Sequence, residues 1–85
     1  MIPDLAGIAL NRWGDGGGHP NYSEQQLGEI MAISVGLGAL FDENIEAERR
    51  WMQTIRVSLG CRPITAILRG DTAPVLALVN KERGL

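Results

Sequence analysis

The spacing of apolar residues along this 85-residue chain predicts helices rather than strands. The clearest stretch follows Ser23, where apolar residues recur at intervals of three and four, as on one face of a helix. Ser23 and Gln26 have the spacing of a capping box, in which each side chain bonds the backbone amide of the other. These signals predict a central, well-buried helix over 23–40. Its core-facing positions are Leu27, Ile30, Met31, Ser34, Leu37 and Phe41, widened by Ile33, Val35 and Leu40.

Three glycines interrupt this predicted helix, at Gly28, Gly36 and Gly38. Each costs about 1 kcal/mol relative to alanine in a helix interior. We therefore expect them where the helix approaches another helix closely.

A second helix is predicted over 44–57, after a polar turn at 41–44. Asp42 or Asn44 can cap it, and the acidic residues that follow favour its positive N-terminal end. Its predicted apolar side consists of Ile45, Trp51, Met52 and Ile55. The register of Trp51 with Ile55 favours a place in the core over a role as an exposed interface anchor. The charged run 46–50 is interpreted as a solvated face.

Gly60, Pro63 and Gly70 divide the rest of the chain. Gly60 can adopt positive φ in a turn, Pro63 suits the first turn of a helix, and Gly70 can end that helix. Thr72 or Asp71 can cap a last helix. The predicted fold class is all-α, a compact bundle of about four helices over approximately 23–40, 44–57, 63–69 and 72–83.

Residues 1–22 are predicted to be a flexible or short-helical N-terminal arm, separate from a helical domain at 23–85. Pro3 could lie in the first turn of a short helix. The segment 14–20 contains four glycines and a proline, which is typical of a linker. A phosphate-binding loop is disfavoured because no strand precedes the glycines and no helix opens on them.

Charge and cysteine content bear on whether the protein binds DNA and on the compartment in which it works. With a net charge of −2 and Lys81 as the only lysine, the chain is unlike a DNA-binding protein, which gathers several basic residues on one face. A single cysteine, Cys61, favours a reducing compartment. No signal peptide is recognised, and the apolar run 30–41 is shorter than the ~20 residues of a membrane span. We therefore expect a soluble cytoplasmic protein that does not cross a membrane.

The residues offer little for catalysis, so we expect neither an enzyme nor a metal or cofactor site. His19, the only histidine, lies in the linker, far along the chain from Cys61. A zinc site or a Cys–His pair would require the arm to fold over the bundle. Arg62 and Arg69 flank the short helix and could bind a partner's carboxylates, or could be ordinary surface charge.

The order of Trp51, Gly60, Pro63 and Gly70 resembles the toxin-binding domain of ParS/Xre-type (MbcA-like) bacterial antitoxins. The resemblance covers about 24–85, and its most specific part is the run Leu-Gly-Cys-Arg-Pro-Ile-Thr-Ala-Ile-Leu-Arg-Gly at 59–70. Cys61 stands where the family usually has a second glycine. The 22 residues before the match are too few for the helix-turn-helix region common in the family. DNA binding through this chain alone is therefore not expected.

This resemblance implies a function as a protein-binding domain. Such antitoxins bind a toxin of the RES type, which degrades NAD, and occlude its active site. The implied partner is therefore a cognate RES-like toxin. The implied partner-binding residues are Arg62, Arg69, Lys81, Glu82, Arg83, Gly84 and Leu85. Two alternatives are a small helical DNA-binding regulator, and an oligomerisation module in which the glycine-bearing helix packs against its copy in a homodimer.

Overall fold

A computed structural model of the chain describes residues 4–85, and these residues form five helices. The helices are α1 (Leu5–Arg12), α2 (Glu24–Phe41), α3 (Ile45–Gln53), α4 (Pro63–Leu68) and α5 (Thr72–Arg83). The described chain contains no strand, and one isolated antiparallel bridge joins Arg56 and Cys61. Its Cα radius of gyration, 11.8 Å, is close to the value of about 12 Å for a compact chain of this length. The all-α prediction is confirmed.

The caps of α2 and α3 follow from short polar side chains. Ser23 Oγ accepts a hydrogen bond from the Gln26 amide at 3.1 Å, and Gln26 Oε1 accepts one from the Ser23 amide at 2.8 Å. The predicted capping box is confirmed. Gln26 Nε2 also donates to the backbone carbonyl of Gly70 at 3.0 Å, so one side chain joins the start of α2 to the α4–α5 turn. Of the two caps proposed for α3, Asn44 is the one used, accepting from the Ala47 amide.

Helix α2 is the centre of the fold and packs most extensively against α5. A Cβ atom added to Gly36 would lie 2.5 Å from Cγ1 of Val79, so the two helices approach as closely as a glycine allows. The expectation of close helix approach is met at Gly36. At Gly28 it is wrong, since this glycine faces open space. No helix of residues 4–85 has both the length and the apolar character required to cross a membrane.

The segment before α2 contributes to the same core as the other helices. Asp4 caps α1, and the helix packs against α2. Leu10 and Trp13 are fully buried, whereas Ile8 is exposed. The glycine-rich residues 14–18 predict a linker, but the helix that precedes them packs into the core of the domain. The suggested place of Pro3 in the first turn lies outside the described residues.

Helix α3 ends at Gln53, four residues earlier than predicted. Thr54 leaves the helix with an extended backbone, and its hydroxyl donates to the carbonyl of Arg50. The chain then forms a tight turn closed by the Arg56–Cys61 bridge, with Gly60 at φ 71°. Ile55, predicted to lie on the apolar side of α3, is 70% exposed. Thr54, Ile55 and Val57 are β-branched, and such residues lose side-chain freedom in a helix, which explains the early end.

Two further expectations from the sequence are wrong. Glu48 does not lie on a solvated face but is fully buried. Thr72 does not cap α5: it is buried in the first turn, and its hydroxyl donates to Glu29 Oε1 of α2 at 2.9 Å. Asp71 occupies the cap position without a side-chain hydrogen bond to the helix. In both cases a polar side chain turns inward to a partner on another helix, which local patterns do not reveal.

Candidate protein-binding surface

Three side chains from different segments fix the C-terminal end of α5. The indole Nε1 of Trp51 donates to Glu82 Oε2, and the Arg56 guanidinium carbon lies 4.9 Å from the centroid of the Trp51 ring. Arg56 Nη1 is 3.7 Å from Glu82 Oε1. Trp51 is only 4% exposed, so its predicted place in the core is confirmed. Glu82, which the resemblance assigns to partner binding, also has an internal contact that positions this end of the helix.

Next to the contact between Glu82 and Trp51, the end of α5 exposes basic and apolar side chains. Lys81 and Arg83 are exposed and form no ion pair with another described residue. Leu85 is 77% exposed. Gly84 adopts φ 79° and ends the helix, a conformation that glycine adopts without strain. The last turn of α5 is therefore an anchored element with an exposed tip.

The two arginines that flank α4 lie in different places. Arg62 follows the Arg56–Cys61 bridge, and its Nη1 donates to Gln53 Oε1 of α3 at 2.6 Å. Arg69 lies beyond the other end of α4, just before α5 begins. The twelve residues of α5 span about 18 Å, so Arg69 is far from the tip. The structure thus groups Lys81–Leu85 and leaves Arg69 at the opposite end of the helix.

Three of the residues that carry the family resemblance, Gly60, Pro63 and Gly70, have backbone roles. Pro63 is buried in the first turn of α4, and Gly60 and Gly70 adopt φ values of 71° and 91°. Tyr22 Oη donates to the carbonyl of Ile67 at 2.7 Å, which ties the approach to α2 onto the end of α4. These positions shape the turns that hold α4 and α5 against the core.

A partly buried ion pair between α1 and α3 was not predicted from the sequence. Arg12 Nε and Nη2 donate to the two carboxylate oxygens of Glu48 at 3.2 Å and 2.8 Å, and Nη2 also reaches Glu43 at 2.9 Å. These hydrogen bonds, first those to Glu48, raise the pKa of Arg12. Arg49 Nε donates to the Arg12 carbonyl at 2.8 Å. Opposite charges on two helices are a weak signal, because many sequences contain such pairs without a contact.

The histidine of the glycine-rich segment also has a partner. His19 Nε2 lies 2.9 Å from Asp4 Oδ2, and Nδ1 lies 2.8 Å from the carbonyl oxygen of Pro20. The hydrogen bond with Asp4 raises the pKa of His19 and lowers the pKa of Asp4. The ring stacks on Tyr22, whose own pKa is raised by burial. Among residues 4–85 no group of three or more potential metal ligands is assembled.

Comparison with protein-family models, with curated proteins and with solved structures finds no match to this chain.

Proposed function

We propose that this chain is a helical protein-binding domain that occludes the active site of a partner, as in the ParS/Xre-type antitoxins it resembles. The partner proposed is a RES-type toxin that degrades NAD, in a cytoplasmic toxin–antitoxin pair. The observation that carries the proposal is the end of α5, where Glu82 fixes the helix to Trp51 while Lys81, Arg83 and Leu85 remain exposed.

Preorganisation of the end of α5 supports this proposal. Binding costs less when the interface residues are already held in place, because less conformational entropy is lost. Burial of Trp51 and its contact with Glu82 provide this support. The exposed basic groups are suited to a partner that carries acidic groups near its active site.

The test is coexpression of this chain with a RES-like protein encoded by the neighbouring gene. Growth inhibition by that protein should be relieved, and the two should elute together from a sizing column. A double substitution, Lys81→Glu with Arg83→Glu, should weaken both effects, whereas Arg69→Glu at the other end of α5 should not. Separate elution of the unmodified pair, or equal effects of both variants, would reject the proposal.

A homodimer is a second candidate, favoured by the outer face of α2. Met31 and Val35 are exposed there, the latter by 66%, among the small residues Gly28, Ala32 and Ala39. This stripe has helical spacing and contains no charge. Light scattering should show twice the mass of one chain, and Val35→Glu should restore the monomer. A monomer at all concentrations would exclude this candidate.

Binding of duplex DNA is the weaker alternative. Arg12, Arg49 and Arg62 donate hydrogen bonds to groups of the same chain, which leaves fewer arginines for phosphates. A salt-dependent shift of duplex DNA by this chain alone would favour that alternative over protein binding.

A further inference from the structure

A cleft of about 390 Å³ lies beside the contact between Trp51 and Glu82. Phe41, Ala47 and Trp51 supply its apolar wall, and the Arg56 guanidinium lies over the Trp51 ring. Arg50 and Arg56 border it. The cleft therefore combines an aromatic surface with two guanidinium groups.

The arginines of the cleft are incompletely paired. Arg50 is exposed, and its side chain forms no ion pair within the described chain. Arg56 lies 3.7 Å from Glu82, which is too far for a hydrogen bond, and its buried Nε has no hydrogen-bond partner among residues 4–85. Since Glu82 provides the single carboxylate among the lining residues, one positive charge is left uncompensated.

We propose that this cleft binds an acidic side chain of the protein partner, with an apolar neighbour of that side chain seated on Phe41 and Trp51. The carboxylate lies between the guanidinium groups of Arg50 and Arg56, where it balances the positive charge that Glu82 leaves uncompensated. Guanidinium groups suit this role because their planar fork matches a carboxylate. The contact with the Trp51 ring holds Arg56 in orientation before the partner arrives.

This inference rests on the proposed function, because it assigns the chemistry of a second contact for the same partner. It places that contact on the side of α3, next to the tip of α5. An ion pair between an acidic group and an exposed arginine alone would add little binding free energy. The apolar wall explains why the partner segment should carry both an acidic and an apolar residue.

The experiment uses the full chain and two blocked peptides, one of alternating glutamate and leucine, the other with glutamine in place of glutamate. The indole N–H signal of Trp51 is followed by ¹H–¹⁵N NMR. Trp13, fully buried at α1, provides an internal reference. The glutamate peptide should shift the Trp51 signal in a saturable manner, while the glutamine peptide should bind several-fold more weakly.

Arg50→Gln should weaken binding of the glutamate peptide by about two- to fivefold, the range for one exposed ion pair. Arg69→Gln removes the same charge at the far end of α5 and should leave binding unchanged. Arg50→Gln should not alter stability, so the loss cannot be attributed to unfolding. Absence of a shift, equal binding of both peptides, or equal affinity of wild type and Arg50→Gln would overturn the inference.

The outcomes separate this inference from the proposed function. If coexpression relieves growth inhibition but the peptide does not bind, only the cleft assignment fails. If the peptide binds as expected but no RES-like partner associates, the proposed toxin is wrong and the acidic-partner site stands.

Discussion

Arg12 and Glu48 form a bidentate ion pair that joins α1 to α3, and the Glu48 carboxylate is fully buried. Because the pair spans 36 positions of the sequence, it links the start of the chain to the centre of the bundle. Four of the relationships described above, this pair included, lead to expectations that stability measurements can check.

Arg12→Ala should destabilise the fold by about 3 kcal/mol, because it leaves the buried Glu48 carboxylate without its partner. Glu43→Gln removes only an exposed partner of the same arginine and should cost under about 1 kcal/mol. Urea denaturation of the two variants beside wild type measures both. Equal effects would mean that water reaches Glu48 and solvates it.

Gly36→Ala should destabilise the protein by about 1–3 kcal/mol, because its Cβ would overlap Val79 of α5. Gly28→Ala is the matched control in the same helix. Its Cβ meets no atom within 4 Å, and alanine favours the helix, so this change should stabilise by about 0.5–1 kcal/mol. Thermal melting followed by circular dichroism distinguishes the two. Destabilisation by both changes would indicate that α2 packs differently from the structure described.

Glu82→Ala should cost about 1–3 kcal/mol, because the buried Trp51 indole N–H then lacks an acceptor. Glu82→Gln keeps a side-chain oxygen at the same reach and should cost less. Chemical denaturation gives the stability difference, and the Trp51 indole signal in NMR reports the bond itself. An Ala variant as stable as the Gln variant would contradict this role of Glu82.

The His19–Asp4 pair should make stability depend on pH. His19 has a pKa raised above its usual 6.5, so its contribution is complete below that value and is lost as pH rises through the folded pKa. Asp4 has a pKa lowered below its usual 3.8, so its contribution is present above 3.8 and lost as pH falls through the folded pKa. The pair therefore stabilises most between about pH 4 and pH 6.5.

Denaturant midpoints measured at about pH 5.5 and pH 8 test this expectation. The decrease should be larger in wild type than in His19→Asn, which cannot titrate. Asp4→Asn is a second control, since the amide oxygen can still cap α1 at the Gly7 amide while the charge is lost. A decrease of the same size in all three proteins would place the titrating group elsewhere.

Local signals predicted the parts of the fold that depend on neighbours in sequence. The Ser23–Gln26 box, the Asn44 cap and the turns at Gly60 and Gly70 all involve residues within a few positions of each other. Trp13 and Glu48 depend on contacts between distant segments, and no local pattern records these. Ile55 is a further case. Its apolar spacing from Trp51 predicts that the helix continues past Gln53, but the helical backbone ends there.

The candidate surface was proposed from the resemblance, and its role in binding a partner stays a prediction. The resemblance directed attention to the end of α5, and the structure shows that Lys81, Arg83 and Leu85 are exposed there. The resemblance could not show that Glu82, unlike Lys81 and Arg83, contacts Trp51, because that contact depends on the position of α3. Arg69 was assigned with them from the resemblance, and the length of α5 separates it from them in the structure.

The side-chain amide of Gln26 couples the beginnings of α2 and α5 during local unfolding. Its oxygen accepts from the Ser23 amide at the start of α2 and its nitrogen donates to the Gly70 carbonyl, so fraying of the first turn of α2 also releases Gly70, two residues before α5 begins. Both helix beginnings should thus exchange their amide hydrogens as a single cooperative unit, separate from the Trp51 end of the bundle. The beginnings of α2 and α5 can then unfold locally while the other end of the bundle, with the exposed Lys81 and Arg83, stays folded.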